Sequence, residues 1–140
     1  DTELDQLLPM VHTYHQYESL DCDETVTKTA VQTLISTPAL GGIWLILADR
    51  QVAGYIALCK GFSIEFGGFD AFVDEFFIQP EYRCKGIGRE ALELIRDEAM
   101  QLEVRALHLE VDRENHHAQR IYDASGFKPR SNYQLMSQEL

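Results

Sequence analysis

Gln79-Pro80-Glu81-Tyr82-Arg83-Cys84-Lys85-Gly86-Ile87-Gly88-Arg89-Glu90-Ala91 is the stretch whose reading decides what kind of chain this is. Two glycines stand where an apolar helical pattern begins, continued by Ile87, Ala91, Leu94, Ile95, Ala99 and Leu102. Glycine at a helix start lets backbone N–H groups come close to an anion, and the positive end of the helix dipole adds to the attraction. Arg83, Lys85 and Arg89 place cationic side chains around the same turn. A phosphate-bearing ligand follows from these residue types in this order. Gly86-x-Gly88-x-x-Ala91 also matches the dinucleotide fingerprint, with Glu110 about twenty residues on, where an acidic ribose ligand would stand. That fingerprint puts its first glycine directly after a strand, whereas Pro80 to Lys85 intervene here, and 140 residues leave little room for two mononucleotide halves. A Walker A loop is excluded, because no Gly-Lys-Ser or Gly-Lys-Thr follows. The turn by itself is as compatible with a glycine-rich helix start that binds nothing.

Working outward, Ala71 to Ile78 reads as a strand leading into the turn. Upstream of it, Ile43 to Ala48 and Val52 to Cys59 are apolar runs joined by Asp49-Arg50, which predicts an antiparallel hairpin. Gly61 to Asp70, with Gly67-Gly68 and three phenylalanines, reads as a loop or a frayed hairpin end. Leu4, Leu7, Leu8, Val11 and Tyr14 recur at helical spacing over the first eighteen or so residues, and a second helix follows Asp23 with Ala30, Val31, Leu34 and Ile35 inward. Downstream, Leu107, Leu109 and Val111 alternate as a strand, and Asn115 is a suitable N-cap for a helix ended by Gly126. Ser131 to Ser137 reads as a last strand. The order predicts one domain over residues 1–140 of mixed α/β (α+β) class, a sheet with helices on its faces.

Composition narrows the partners. The net charge is −11, with 12 Lys plus Arg against 23 Asp plus Glu, so the chain has no overall field for nucleic acid. No apolar run reaches the ~18 residues of a membrane helix. Cys22, Cys59 and Cys84 fit neither a zinc ribbon nor an even disulfide framework, and reduced thiols in a cytoplasmic protein are expected. His12, His15, His116 and His117 show no ligand spacing, so solvent-facing or cap roles are expected and no metal.

Three features in order resemble the GNAT superfamily of acyl-CoA-dependent N-acetyltransferases. Arg83-Cys84-Lys85-Gly86-Ile87-Gly88 is similar to its Arg/Gln-x-x-Gly-x-Gly/Ala motif. The strand Val73-Asp74-Glu75-Phe76-Phe77-Ile78 precedes it, and Asn115, Tyr122 and Gly126-Phe127 follow. Asp74 to Tyr122 aligns without gaps on the diamine (spermidine/spermine) acetyltransferase branch, and Tyr17-Glu18 resembles an acceptor-side pair there. The departure is Cys84, where many members have glycine.

The resemblance implies a mostly antiparallel sheet flanked by helices, acetyl-CoA as cosubstrate without a metal, and a homodimer, often paired through C-terminal strands. Phe76, Phe77 and Ile78 would bind the pantetheine arm, Cys84 to Arg89 with Arg83 the pyrophosphate, and Asn115 and Tyr122 the cofactor. Tyr122 is the expected general acid toward the CoA thiolate. A primary amine, with a pKa near ~10 in water, must lose a proton before it attacks. Asp74 is the first candidate base and Glu75 the second. Neighbours on a strand face opposite sides, so the two act as a pair only if a bulge turns the chain. Residues 1–80 carry three basic and twelve acidic residues, net −9, and residues 81–140 only −2, so the acceptor half suits a cation. Tyr17, Glu18, Glu65 and Asp70 are further candidates for the acceptor pocket. The expected acceptor is a small primary amine such as a polyamine, diamine or aminoalkyl amino acid. A protein lysine or N-terminus, or a non-catalytic CoA-binding module, are the alternatives.

Overall fold

The computed structural model describes residues 2–140. The elements follow as α1 (Thr2–Tyr17), α2 (Glu24–Ser36), β1 (Gly41–Ala48), β2 (Gln51–Ser63), β3 (Gly68–Ile78), α3 (Ile87–Gln101), β4 (Ala106–His108) and α4 (His116–Ala124). Single 3-10 turns at Pro38–Leu40 and Pro80–Tyr82 precede β1 and α3. The sheet order is β1-β2-β3-β4, antiparallel at the first two pairings and parallel between β3 and β4. This is the mixed sheet with helices on its faces that the element order predicts, and it is mostly antiparallel as the family resemblance implies. Among the described residues no helix is long and apolar enough to cross a membrane.

Local chemistry explains the boundaries. Asp23 caps α2, its carboxylate accepting from the N–H groups of Thr25 and Val26 at 2.8 and 3.0 Å. Asp49 and Arg50 both take positive φ, 50° and 67°, the geometry that joins two twisted strands through two residues. Helix α4 closes on Gly126 at φ 96°, with the Phe127 N–H donating to the Tyr122 carbonyl at 3.0 Å. That closure folds Phe127 back against Tyr122.

β2 is central and covered on both sides, so Ala53 to Leu58 are buried without a break. Ile56 and Leu58 point to α3, where they pack with Ala71, Val73, Leu92, Ile95 and Ala99. Tyr55 points the other way and packs with Phe77 against Leu7, Met10 and Val11 of α1 and Val31 of α2.

Two expectations need correction. Ser131 to Ser137 forms no strand: residues 131–140 have no regular structure and are exposed. A strand needs a ladder to join, and β4, three residues long, offers none. The strand expected through Val111 also stops at His108. Continued in register, Glu110 would face Asp74, where β3 bulges, and the pairing ends before it. In the opposite sense, Gly61 to Asp70 is largely strand, the turn being confined to residues 64–67.

Candidate active site

The site is organised by that bulge. Leu58 pairs with Val73 and Ala57 with Glu75, leaving Asp74 as the extra residue of β3. Alternation therefore slips by one. Ahead of the bulge Ala71 and Val73 face α3; beyond it Phe76 packs on the α3 side, while Phe77 faces α1. Asp74 and Glu75 consequently line one and the same cavity of about 510 Å³, enclosed by α1, α2, β1 and β2, with His15, Tyr55, Cys59 and Val31 among its walls. The condition under which neighbouring carboxylates could act together is met.

The bulge also parts β3 from β4, whose last paired residues are Phe72 and His108. The Gln79 N–H donates to the Ala53 carbonyl at 2.7 Å, so two residues back Phe77 and Tyr55 form a hydrogen-bonded pair, and the amide groups of Phe76 and Ile78 point to the opposite, open edge. That edge can bind an extended arm as another strand would. The Ile78 carbonyl is met from this side by Arg83 Nε at 2.8 Å, which pins the start of the glycine turn to the strand. Phe77 thus serves the other face, as a ring under the Arg83 guanidinium at 5.6 Å, rather than the slot.

At the head of α3, Gly86 occupies the N-cap at φ 81° and offers no side-chain cap. The first amides of the helix are left to an outside acceptor, which is the anion-binding arrangement expected. Open space lies within 4 Å of a Cβ built on Gly86, while one on Gly88 would touch the Phe76 ring at 3.6 Å. Cys84, Lys85 and Arg89 are exposed around this turn, and Cys84 adopts φ 61°, a left-handed conformation that favours glycine. Glycine at this position would carry no such strain.

Tyr122 stands at the end of the slot, its ring 6.4 Å from Phe76 and 6.0 Å from Phe127. Burial, and after it the charge of Glu18, pushes its pKa up, so the phenol holds its proton. Asn115 accepts from the Ala118 N–H at 3.1 Å, its carbonyl oxygen capping α4, and the residue is exposed.

The remaining acceptor candidates divide. Tyr17 is exposed, with the Arg83 guanidinium 5.3 Å from its ring centre, so it ties α1 to the glycine turn outside the cavity. Glu18 is exposed beside it. Asp70 pairs with His108 at 3.0 Å and lines a shallower depression of about 440 Å³ with Asp74 and Glu110. Glu65 pairs with Arg130 at 2.9 Å and lies outside both cavities.

His15 corrects the expectation of a solvent-facing histidine. Its Nε2 lies 2.5 Å from Glu75 Oε2, and the Tyr55 hydroxyl donates to Glu75 Oε1 at 2.9 Å. Tyr14 stacks edge-on against Tyr55 and Phe77. The signal in the sequence was position: His15 follows Val11 by four residues and so continues the inward face of α1.

A slot along an opened strand edge, ending at a helix N-terminus and backed by a cavity with two carboxylates in its wall, is the arrangement of a two-substrate transferase that takes an extended, phosphate-bearing donor. Comparison with known proteins agrees. The model of the Acetyltransferase (GNAT) family matches residues 4–127, so the chain belongs to that family and is an acyl-CoA-dependent N-acetyltransferase. An integron cassette protein, HFX_CASS3, from the mobile metagenome of Cole Harbour Salt Marsh is similar at 33% identity and a TM-score of 0.86, over 99% of this chain and 86% of that one. A "possible acetyltransferase" from Clostridium difficile 630 shares the fold at 19% identity and a TM-score of 0.82, over 99% and 92% of the two chains. So does a predicted acetyltransferase with acetyl-CoA from Clostridium acetobutylicum, at 12% identity and 0.78, over 97% and 90%. No curated protein sequence matches.

Proposed function

We propose that this enzyme transfers the acetyl group of acetyl-CoA to the primary amine of a small cationic acceptor, a polyamine, diamine or aminoalkyl amino acid. The observation that carries the reading is the bulge at Asp74, which turns both carboxylates into a cavity while opening the strand edge beside it. Phe76 and Ile78 hold the pantetheine arm through backbone groups. The amides from Cys84 to Arg89, with the Arg83, Lys85 and Arg89 charges, hold the pyrophosphate, and the Asn115 amide adds a contact. Asp74, exposed at the bulge, draws in the ammonium, with Glu18 and Tyr17 at the rim. The ammonium sheds one proton toward the acidic wall. The freed nitrogen then attacks the thioester carbon, the C–S bond breaks as C–N forms, and Tyr122 gives its proton to the departing sulfur. The second proton leaving nitrogen restores the phenol, so an amide, CoA thiol and one released proton result.

The test is CoA release from acetyl-CoA across a panel of diamines, polyamines, amino acids with aminoalkyl side chains, and basic peptides. Turnover with the small amines is expected. Turnover confined to peptides would move the acceptor to a protein lysine or N-terminus.

A further inference from the structure

We infer that His15 is the group that takes the acceptor's proton and that Glu75 is its positioning residue; this rests on the amine-acetylating reading above. Glu75 has donors on both oxygens, Tyr55 on Oε1 at 2.9 Å and His15 on Oε2 at 2.5 Å. Tyr55 is fully buried, so one of those donors sits in the core. A carboxylate held in this way fixes the ring beside it. Because the carboxylate accepts, the neutral imidazole presents Nε2–H to it and keeps its lone pair on Nδ1. Among the described residues Nδ1 makes no hydrogen bond.

The surroundings suit proton transfer. The two side chains are 12% and 19% exposed, yet both line the acceptor cavity. The titratable groups that share the cavity with the ring are Glu75 and Asp74 from β3 and Tyr55, Cys59 and Lys60 from β2, and Tyr14 lies beside it on α1. Of these side-chain types, imidazole is the one whose ordinary titration lies nearest neutrality, which is what a base facing an ammonium needs. The step balances: the N–H bond of the ammonium breaks, Nδ1 gains the proton, the imidazolium charge faces Glu75, and the proton passes on to solvent. Asp74 is left to hold the cation.

His15→Gln separates this role from a mere tie between α1 and β3, since a glutamine amide still donates to Glu75 but carries no basic nitrogen. The expected result is a fall in kcat of about 100-fold, within the usual range for a lost general base. The amine KM and the acetyl-CoA affinity should stay within about threefold, and the acid limb of the pH–rate profile should vanish. In Glu75→Gln the acid limb should persist at reduced kcat. An unchanged kcat in His15→Gln, or an acid limb that vanishes in Glu75→Gln and survives in His15→Gln, would overturn the inference. The wild type alone tests the acceptor reading. Independently of any acceptor, the ¹⁵N spectrum of the imidazole in the wild-type protein should show the Nε2–H tautomer at neutral pH. A ring protonated on Nδ1 in its neutral form would overturn the inference whatever the amine.

Discussion

The two faces of the sheet are built from the same three strands and are filled in opposite ways. Toward α3 the fully buried residues are aliphatic, Ile56, Leu58, Ala71 and Val73 meeting Leu92, Ile95 and Ala99, with the Phe76, Tyr122 and Phe127 rings at the margin. Toward α1 and α2 it is aromatic and polar, with Tyr55, Phe77 and Tyr14 around a His15–Glu75 pair and a cavity of about 510 Å³ left open. A single extra residue, Asp74, separates the two regimes, because it sends Glu75 to the face opposite Val73, whose side it would otherwise have shared. The buried interior toward α3 holds the fold, while the acceptor side of the chemistry lies toward α1 and α2. Substitutions should therefore divide by face into those that lower stability and those that lower turnover.

The largest expected effect is at Tyr122, whose ring packs between Phe76 and Phe127. Tyr122→Phe keeps the ring packing and removes the proton, so kcat should fall by about 100-fold or more, while acetyl-CoA affinity measured by titration stays within about twofold. Wild-type turnover in this variant would remove Tyr122 from the mechanism and leave it as part of the Phe76–Phe127 stack. On the α3 face, Leu58→Ala should cost about 2–5 kcal/mol, read by denaturant unfolding, with kcat unchanged in the folded fraction. Tyr55→Phe, across the same strand, should cost only about 1–3 kcal/mol by leaving a Glu75 oxygen short of a donor, but should also lower kcat. If Leu58→Ala and Tyr55→Phe changed stability and turnover in the same proportion, the division by face would fail.

The same contrast explains what was legible in the sequence. The donor side is local: a strand, a glycine turn and a helix follow one another, so Arg83 to Arg89, the Asn115 cap and the Gly126 stop can each be read from neighbours a few residues away. The acceptor side is assembled across the chain. His15 and Glu75 lie 60 positions apart, and Tyr55 another 20 from Glu75, so no window of periodicity contains them together. The bulge was readable only as a condition, since parity along β3 depends on the pairing with β2. The terminal strand was misread for a related reason: alternation in Ser131 to Ser137 describes a strand only where a neighbour supplies a ladder.

A smaller effect is expected at Cys84, on the donor side. Its φ of 61° costs about 1 kcal/mol for a residue with a Cβ, and glycine carries no such penalty. Cys84→Gly should raise Tm by a few degrees and leave acetyl-CoA affinity intact or slightly improved. A lower Tm would mean that the thiol makes up for the strained backbone.

The smallest expected effect distinguishes the faces by pH. Burial, and after it the charges of Asp74 and Glu75, push the Cys59 thiol from its ordinary value near 9 up to about 11. Tyr55 and Tyr14 are raised in the same direction by burial first, and then by the nearby carboxylates. For such groups the folded state holds the proton more tightly than the unfolded one. Their contribution to stability is whole below the unfolded value and is lost as pH rises toward the folded value. Tm should therefore decline from pH 9 to pH 11, the window of the thiol, as the unfolded thiol ionises first. Cys59→Ala should flatten that decline, since the group that titrates is gone. Leu58→Ala, facing α3, should lower the whole curve and keep its slope. Parallel curves for all three proteins would place the alkaline loss on the tyrosines alone, and a slope changed by Leu58→Ala would mean that the two faces do not respond independently.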